Sequence, residues 1–481
     1  MANLERRVGE VPAFCRMNEQ APSENNFCRL SRAIIERHRC TYTEALRILA
    51  GLRLNLVCGE RIRTSIALQA ALLTAINAGK RAFLGGVAVT MPASVPNLLP
   101  WPVPGSLNEV AAGLGANLSG PAMPTAAHTL YFGAAAEPVQ DGLTVLCSGW
   151  RGGVAPAEQC VSVESPHDFA LGGVTAGALG VAKGFLRVTG VSSRFVEGPQ
   201  GVSLWRPDLD WMSAEADGPK LELLPLNLWM LGLGHLGQAY LWNLGLLPYP
   251  RGSRSTFFLQ DFDRVVAANW HAGMLCDEAS AGQFKTRLCS GWLEARGLGT
   301  RIIERPFDDL TRRSGEEPFV ALCGFDNLKS RSLLEGAAFD LVVECGLGGE
   351  TATFDDILLH TFPGASQKAA EVFGGGGDRE APAHPGALTG AFGEMRDCGI
   401  LLATLEGKAV SSSFVGAYAG GLVVGELLRG LHGGVRCEMV RAHLRSNDAH
   451  GVVLMAEAYQ NRLVRSGYVE LASPPTGAGL G

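Results

Sequence analysis

A glycine-rich turn and the acidic residues that follow it could bind a nucleotide. The apolar residues 228–231 lead into three glycines with G-x-G-x-x-G spacing, which are Gly232, Gly234 and Gly237. Such a turn joins a strand to a helix whose first N–H groups can bind a phosphate. A second apolar stretch, residues 256–260, runs into Asp261 and Asp263. A carboxylate at the end of the second strand of a βαβ unit accepts hydrogen bonds from ribose hydroxyls.

Amide, ammonium and carboxylate side chains continue this series downstream. Asn269 and Lys285 follow the acidic pair, and Asp326 and Asn327 follow the apolar residues 319–323. An ammonium group can neutralise triphosphate oxygens, and an aspartate can hold Mg²⁺ together with phosphate oxygens. Open α/β sheets bind ligands at the carboxyl ends of their strands, so we expect one site for ATP and Mg²⁺ there.

The elements that must position these residues form an α/β pattern that occurs twice. In the first half, residues 52–59 are strand-like, residues 61–78 are helix-like and residues 81–89 are strand-like again. This repeats the order found at residues 228–265. The first turn has only Gly59 and is followed by charged side chains, so a nucleotide would meet side chains where it needs bare backbone.

A second similarity between the halves supports a duplication. The small-residue stretch that starts at Gly173 resembles the one that starts at Gly416, and the two are 243 residues apart (416 minus 173). Chance similarity between two buried Gly/Ala-rich helices is the alternative for this pair alone. Two similarities in the same order favour a degenerate tandem repeat. Residues 196–219, rich in Pro, Asp and Gly, are the expected connection.

Composition excludes several classes of protein. The 481 residues give room for two or three domains, and the net charge of −6 without a basic stripe argues against nucleic acid. Residues 169–188 and 414–431 are apolar but interrupted by charge, so we interpret both as buried helices and expect no membrane span. Residues 1–20 have no signal-peptide pattern, and the twelve cysteines include no C-x-x-C pair. A reducing cytoplasm is the expected location.

As a set, these motifs resemble a known family. The glycine turn, Asp261-Phe262-Asp263, Asn269, Lys285 and Asp326-Asn327-x-x-x-Arg331 are similar to the adenylation domain of ubiquitin-activating enzymes and their bacterial ThiF/MoeB-class relatives. The matching covers residues 228–349, and the first half resembles the inactive adenylation domain of the same enzymes. The resemblance implies two tandem Rossmann-like domains, the first degenerate and the second active, as in activating enzymes of bacterial ubiquitin-like conjugation operons, some of them antiphage.

The resemblance also implies roles for individual residues. Asp261 would bind ribose, Lys285 would have a catalytic role at the phosphates, and Asp326 would coordinate Mg²⁺. Asp263 is either part of the nucleotide site or a helix cap, and Arg331 is expected in a structural ion pair. The implied ATP-binding set contains the following residues: Gly232, Gly234, Gly237, Asp261, Asp263, Asn269, Lys285, Asp326 and Asn327.

One departure from the family pattern concerns an arginine. The family has Arg-Gln shortly after the asparagine, whereas this chain has Ala272-Gly273. Without that guanidinium the charge of the transition state lacks a counterion, so another arginine must replace it or activity is impaired. The sequence leaves three candidates open, which are Arg61, Arg63 and Arg264.

A catalytic cysteine is expected after a long irregular segment. In ubiquitin-type enzymes a thiolate attacks the acyl adenylate, which gives a thioester and releases AMP, and such a cysteine needs exposure and a lowered pKa. Residues 361–398 are Gly- and Pro-rich and end at Arg396-Asp397-Cys398. This position resembles the family's crossover segment, so Cys398 is the candidate, with an ordinary junction cysteine as the alternative. Cys345 is the rival, although packing suits it better.

These interpretations predict the organisation of the chain. We expect an N-terminal extension (1–45), a degenerate domain (46–195), a linker (196–219), an active domain (220–360), a crossover loop (361–398), a C-terminal part (399–470) and a disordered tail (471–481). The implied partners are a ubiquitin-like protein ending in glycine and a ubiquitin-conjugating-like enzyme, and a homodimer is conceivable. The alternatives are a sulfur-carrier adenylyltransferase without a thioester step, a catalytically impaired ATP-binding scaffold, and a nicotinamide-dependent oxidoreductase.

Overall fold

The described part of the chain contains two large mixed β-sheets, one two-stranded sheet and ten α-helices. The computed structural model describes residues 27–118, 127–133, 141–192, 197–374, 409–446, 450–458 and 463–471. The helices are α1 (Ser31–His38), α2 (Tyr42–Gly51), α3 (Ile66–Ala82), α4 (Leu107–Gly113), α5 (Ala170–Val188), α6 (His235–Gly245), α7 (Lys285–Glu294), α8 (Leu328–Ser332), α9 (Ala369–Gly374) and α10 (Ser413–Leu431). The proposed crossover loop lies mostly outside the described residues.

The first sheet has six strands. They are β1 (Arg53–Cys58), β2 (Val87–Thr90), β3 (Ala127–Phe132), β4 (Leu143–Ser148), β5 (Arg151–Pro156) and β6 (Gln200–Ser203). Their spatial order is β2-β1-β3-β4-β5-β6. The first four are parallel, and the last two are antiparallel additions.

The second sheet has eight strands, and a short two-stranded sheet lies apart from it. The strands are β8 (Asn227–Leu231), β9 (Thr256–Gln260), β10 (Thr300–Ile303), β11 (Val320–Cys323), β12 (Leu341–Leu347), β13 (Asp356–Phe362), β14 (Val435–His443) and β15 (Gly451–Ala458). Their order is β10-β9-β8-β11-β12-β13-β14-β15. The first five strands of this order pair in parallel, and β13, β14 and β15 are added antiparallel. Strands β7 (Leu223–Pro225) and β16 (Tyr468–Glu470) pair antiparallel.

The two sheets share one topology. The order β2-β1-β3-β4-β5-β6 is repeated as β9-β8-β11-β12-β13-β14, with β10 and β15 added at the edges. Along the chain, α3 follows β1 and α6 follows β8. In the same way, α5 precedes β6 and α10 precedes β14. The mixed α/β fold with parallel strands is as predicted from the sequence.

Small residues set the same helix crossing in both halves. A Cβ built on Gly173 would lie 1.9 Å from the carbonyl oxygen of Ala67, and one on Gly177 would lie 2.3 Å from that of Ala71. In the second half, a Cβ on Gly416 would lie 2.4 Å from the ring of His235, and one on Gly420 would lie 2.8 Å from the oxygen of Ala239. The glycines 243 residues apart therefore allow equivalent close contacts of α5 with α3 and of α10 with α6.

These four helices also join the halves. Helix α10 contacts α5 and α3 as well as α6. It is the one described helix that is long and apolar enough to cross a membrane by composition, and it is wholly buried inside the fold. Its burial explains its composition, because a helix with protein on all sides is apolar all round.

Several predicted boundaries need correction. The helix expected at residues 61–78 begins at Ile66, because residues 60–63 form a 3-10 turn and the Ser65 hydroxyl then caps α3 by accepting from the Leu68 amide. The following strand begins at Val87, since the chain stays helical to Ala82. The predicted linker at 196–219 contains β6, the sixth strand of the first sheet.

Candidate functional site

The glycine turn between β8 and α6 has a different physical constraint at each glycine. Gly232 has a φ of 80°, a left-handed conformation that favours glycine, and a Cβ there would lie 3.0 Å from the ring of Phe325. A Cβ on Gly237 would lie 2.0 Å from the carbonyl oxygen of Gly232, so the helix can pack on the turn only without a side chain. A Cβ on Gly234 would meet nothing within 4 Å. The turn is thus tight at both ends and open in the middle, where a phosphate could approach the backbone.

Asp261 holds this turn against the end of β9. One carboxylate oxygen accepts from the Leu233 amide at 2.7 Å, and the other accepts from the Asp263 amide at 2.8 Å. Burial raises the pKa of Asp261, while the charge of Lys285 opposes the rise. Asp261, the residue predicted to bind ribose, therefore fixes the geometry of the glycine turn.

Lys285 and Asp263 form an ion pair beside this carboxylate. The Lys285 Nζ lies 2.7 Å from the Asp263 Oδ2 at the start of α7. The lysine is mostly buried, whereas the side chain of Asp263 is about half exposed at 51%. Asp263 thus acts as a counterion, and no cap bond is donated to its side chain among the described residues. The arrangement places one cation at the mouth of the turn.

Asn269 lies in a buried 3-10 segment, Ala267–His271. Its side-chain oxygen accepts from the Val266 amide at 2.9 Å, which fixes the start of that segment. Gln238, buried in α6, ties the chain after that segment to the turn, because its Nε2 donates to the Leu233 carbonyl and its Oε1 accepts from the Leu275 amide. The motif spacing does not identify Gln238, although a polar residue directly after the last glycine of the turn is a usable signal.

The position of the missing family arginine is closed by packing. Ala272 is buried, and a Cβ on Gly273 would lie 2.6 Å from the Gln238 Oε1. The position of the family arginine is therefore occupied by a small buried side chain, and the next residue is closely packed.

The loop after β11 adjoins the glycine turn and bears Asp326. A Cβ on Gly324 would lie 2.9 Å from the Cβ of Leu236, so the two loops are in contact. Asn327 caps α8 by accepting from the amides of Lys329 and Ser330. Asp326 is exposed, and no described residue makes a hydrogen bond or ion pair with its carboxylate. An exposed carboxylate beside a phosphate site suits a hard cation such as Mg²⁺.

A buried ion pair stabilises the loop that bears Asp326. Arg331 lies 3.1 Å from the Glu344 Oε1, and its Nε donates to the Phe325 carbonyl at 2.7 Å. Glu344 is fully buried and also lies 3.3 Å from the His360 Nδ1. The ion pair expected for Arg331 is present, and it fixes the backbone directly before Asp326.

None of the three arginines proposed from the sequence contacts the glycine turn among the described residues. Arg63 pairs with Glu60 at 2.7 Å, and Arg264 lies over the ring of Phe284 and donates to the Gly282 carbonyl. Arg61 is exposed in the first half. Arg29 is the arginine near α6. Burial lowers the pKa of His235, the first residue of α6, and the positive charge of Arg29 adds to this effect, giving a pKa of about 4. No spacing rule links Arg29 to the glycine turn, so no sequence pattern indicates it.

The segment that carries Arg29 is docked on the second half. The Cys28 Sγ lies 3.5 Å from the His271 Nδ1, and an Arg32 nitrogen lies 4.0 Å from a Glu350 oxygen. Burial raises the pKa of the Cys28 thiol to about 12 and lowers that of His271 to about 4. This neutral contact is therefore structural, and it places Arg29 at the edge of the second-half site.

The cysteine predictions divide between described and undescribed residues. Cys398 and Arg396 lie outside the described residues. Cys345 is fully buried, and burial raises its thiol pKa well above the ordinary value. A buried, protonated thiol is a poor nucleophile, which agrees with packing.

The first half has a carboxylate where the second half has bare backbone. Asp168 accepts from the Ile66 amide at 2.7 Å and from the Ala67 amide at 2.8 Å, at the first turn of α3. In the second half, no described residue accepts a hydrogen bond from the amides of Gly234 or His235. The helix N-terminus that could bind a phosphate is filled internally in one half and available in the other.

Comparisons with known proteins agree with this two-half organisation. Residues 53–204 match the family model described as BilD N-terminal domain, and residues 224–434 match that of the BilD C-terminal domain. The chain is 35% identical over 408 residues to the bacterial E1-like protein BilD of Collimonas sp. (strain OK412), covering 83% of this chain and 87% of the relative.

Solved structures show a weaker likeness. E. coli MccB with the peptide MccA-N7isoASN has a TM-score of 0.32 and 14% identity, covering 48% of this chain and 64% of that chain. E. coli MccB with ATP has a TM-score of 0.31 and 12% identity, covering 48% and 63%. The strand order described above, and not this likeness, defines the fold.

The sequence relationship places the chain among the E1-like proteins. More specifically, it belongs to the BilD family of bacterial E1-like proteins.

Proposed function

We propose that this protein is an ATP- and Mg²⁺-dependent activating enzyme that adenylates the C-terminal glycine of a small ubiquitin-like protein. The observation that carries the proposal is the open first turn of α6. Its bare amides lie where Asp261 fixes the turn, Lys285 supplies a cation and the Asp326 loop makes contact. Membership in an E1-like family supports the same reaction class.

Each residue of the site has a role in this proposal. The amides around Gly234 and the Lys285 ammonium bind the phosphates, and Asp261 binds the ribose while it holds the turn. Asp326 would hold Mg²⁺, which supplies neutralisation of phosphate charge when it is bound. Arg29 supplies the guanidinium that Ala272 and Gly273 cannot, from the N-terminal segment that covers the second half.

The chemistry is a displacement at phosphorus. A carboxylate oxygen of the partner's terminal glycine attacks the α-phosphorus, an acyl–phosphate bond forms, and the bond to the leaving pyrophosphate breaks. The protein contributes position and positive charge, since no proton transfer is needed at the attacking carboxylate. Lys285, Arg29 and the amides of α6 all face the developing negative charge of the pyrophosphate.

We further propose that the first half is a degenerate adenylation domain. Asp168 fills the anion position of α3 with a carboxylate from the same chain, and a phosphate there would be repelled. The first half then stabilises the second half and supplies Arg29, while only the second half binds ATP.

The thioester step is the last part of the proposal. Cys398 would attack the acyl adenylate, form a thioester, release AMP, and pass the acyl group to a ubiquitin-conjugating-like enzyme. The support is the sequence context of Cys398 beside Arg396, whose charge favours the thiolate. The rival Cys345 fits this role poorly, because it is fully buried and burial raises its thiol pKa.

Pyrophosphate exchange tests the proposal with purified components. The full chain, a candidate ubiquitin-like partner, ATP and Mg²⁺ should incorporate labelled pyrophosphate into ATP. Asp326→Ala should reduce exchange at least about a hundredfold, because one charge-stabilising group can contribute that much, whereas Asp309→Ala, an exposed control, should not. Cys398→Ala should keep exchange and lose the thioester that reducing agents cleave.

The possible results separate the alternatives. Exchange without any thioester in the wild type would identify a sulfur-carrier type of adenylyltransferase. ATP binding without exchange would identify a scaffold. Hydride transfer with a nicotinamide cofactor would overturn the proposal altogether.

A further inference from the structure

Two helix N-termini meet at the open turn of the second half. His235, the first residue of α6, bonds through its Nε2 to the carbonyl of Ser412, the residue before α10, at 2.8 Å. The segment before α10 is anchored on the other side, where the Val410 amide donates to the Gly349 carbonyl at 2.8 Å. Residues 411 and 412 are therefore fixed between the end of β12 and the first turn of α6.

Both residues present a buried hydroxyl without a partner. Ser411 is 9% exposed and Ser412 is fully buried, and neither Oγ atom has a hydrogen-bond partner among the described residues. Ser412 does not cap α10 with its side chain. A buried hydroxyl without a partner is costly, so each of these two hydroxyls can still donate a hydrogen bond to a bound ligand.

The internal repeat shows what belongs at this position. Helices α5 and α10 begin and end 243 residues apart, so Ser411 corresponds to Asp168 (411 minus 168). Asp168 bonds directly to the first-turn amides of α3. Ser411 is neutral where Asp168 is anionic, and it leaves the corresponding amides of α6 unoccupied.

We propose that Ser411 and Ser412 are positioning residues that donate hydrogen bonds to the phosphate chain of ATP on the first turn of α6. In the first half, the Asp168 carboxylate replaces that oxyanion. In the second half, the serine hydroxyls complete the donor set that the amides begin. The inference rests on the proposed ATP site, and it adds that the residue two positions before α10, Ser411 in place of Asp168, decides which half can bind an anion.

Titration calorimetry of the full chain with ATP and Mg²⁺ tests this inference. Ser411→Ala should weaken ATP binding about tenfold, which is the effect of losing one hydrogen bond to a charged group. Ser412→Ala should act in the same direction. The matched control is Ser413→Ala, because that hydroxyl already donates to the Ala78 carbonyl and is not directed at the turn.

Ser411→Asp is the sharper variant. It recreates the carboxylate of the first half, so the first turn of α6 should gain an internal partner. ATP binding should be lost while the thermal unfolding temperature stays equal or rises, which separates this effect from misfolding.

The outcomes distinguish the inference from the proposed function. If wild-type protein binds ATP and all three variants bind it equally well, the inference is wrong and the ATP site stands. If Ser411→Asp unfolds at a lower temperature, the correspondence with Asp168 is wrong. If the wild type does not bind ATP, the proposed function itself fails.

Discussion

At the residue scale, the second-half turn shows how one motif combines folding and binding constraints. Gly232 and Gly237 are required by the fold, because a side chain would collide with Phe325 or with the turn backbone. Gly234 has free space around it, so the fold does not require a glycine there, and we propose that the approach of a nucleotide does. The spacing alone could not show which glycine had which role.

Alanine substitutions should separate the two constraints. Gly237→Ala should lower the free energy of unfolding by about 2 kcal/mol or more, since the added methyl would lie 2.0 Å from a carbonyl oxygen. Gly234→Ala should change stability little but weaken ATP binding. Thermal unfolding and calorimetry on both variants measure this. Equal destabilisation by both would contradict the distinction.

Motif spacing selects candidate site residues, but it does not predict their contacts. Spacing selected Asp261, Lys285 and Asp326, and the structure brings their loops together. It could not show that Asp261 holds the Leu233 amide or that Lys285 pairs with Asp263. Arg29 was missed because its proximity to α6 arises from docking of the N-terminal segment, which leaves no mark in local sequence.

At the element scale, α3 joins the halves through a buried arginine. Arg81 donates to the carbonyls of Trp270, Met274 and Cys276, which lie directly after Asn269 in the second half. Asn77 adds a bond to the Met274 carbonyl. The first half therefore holds the backbone of the segment in which Ala272 stands at the position of the family arginine.

Removal of this guanidinium should uncouple the halves. Arg81→Met keeps the apolar stem but leaves buried carbonyls without donors, so the free energy of unfolding should fall by about 3 kcal/mol. ATP binding should weaken too, because Asn269 loses its support. Arg251→Met, an exposed arginine between α6 and β9, is the control for chemical denaturation. Equal stability of the two variants would show that Arg81 is dispensable.

The duplication was predictable from element order, whereas boundaries were not. Gly173 and Gly416 predicted equivalent helices, and the structure has α5 and α10 in register. The start of α3 was misplaced because the 3-10 turn and the Ser65 cap depend on local hydrogen bonds. Strand β6 was assigned to the linker because four residues carry too little pattern to reveal a strand.

At the scale of the whole molecule, the two halves form one structure with a large buried interior that includes neutral histidines. His128 in β3 packs against Gly184 of α5, and its Nε2 has no partner among the described residues. Burial, followed by the charge of Arg187, lowers the pKa of His128 to about 4. In the unfolded chain the pKa of histidine is about 6.5.

Stability should therefore depend on pH through His128. Between pH 6.5 and 4 the unfolded chain binds the proton and the folded chain does not, so acidification destabilises the fold by up to about 1.4 kcal/mol per pH unit. His128→Leu should remove the contribution of His128, so the free energy of unfolding should fall less steeply as the pH is lowered. Burial raises the pKa values of Asp261 and Asp355, so these two carboxyl groups stabilise the fold on acidification, in the wild type and in the variant alike. Urea unfolding at several pH values measures the slopes, and identical slopes would contradict the assignment.

A crystal structure of the full chain with a non-hydrolysable ATP analogue and Mg²⁺ would locate the nucleotide site directly. We expect one nucleotide per chain, with phosphates on the first turn of α6, ribose at Asp261 and the cation at Asp326. An empty second-half turn at saturating nucleotide, or a nucleotide bound at the first turn of α3 in place of Asp168, would contradict it.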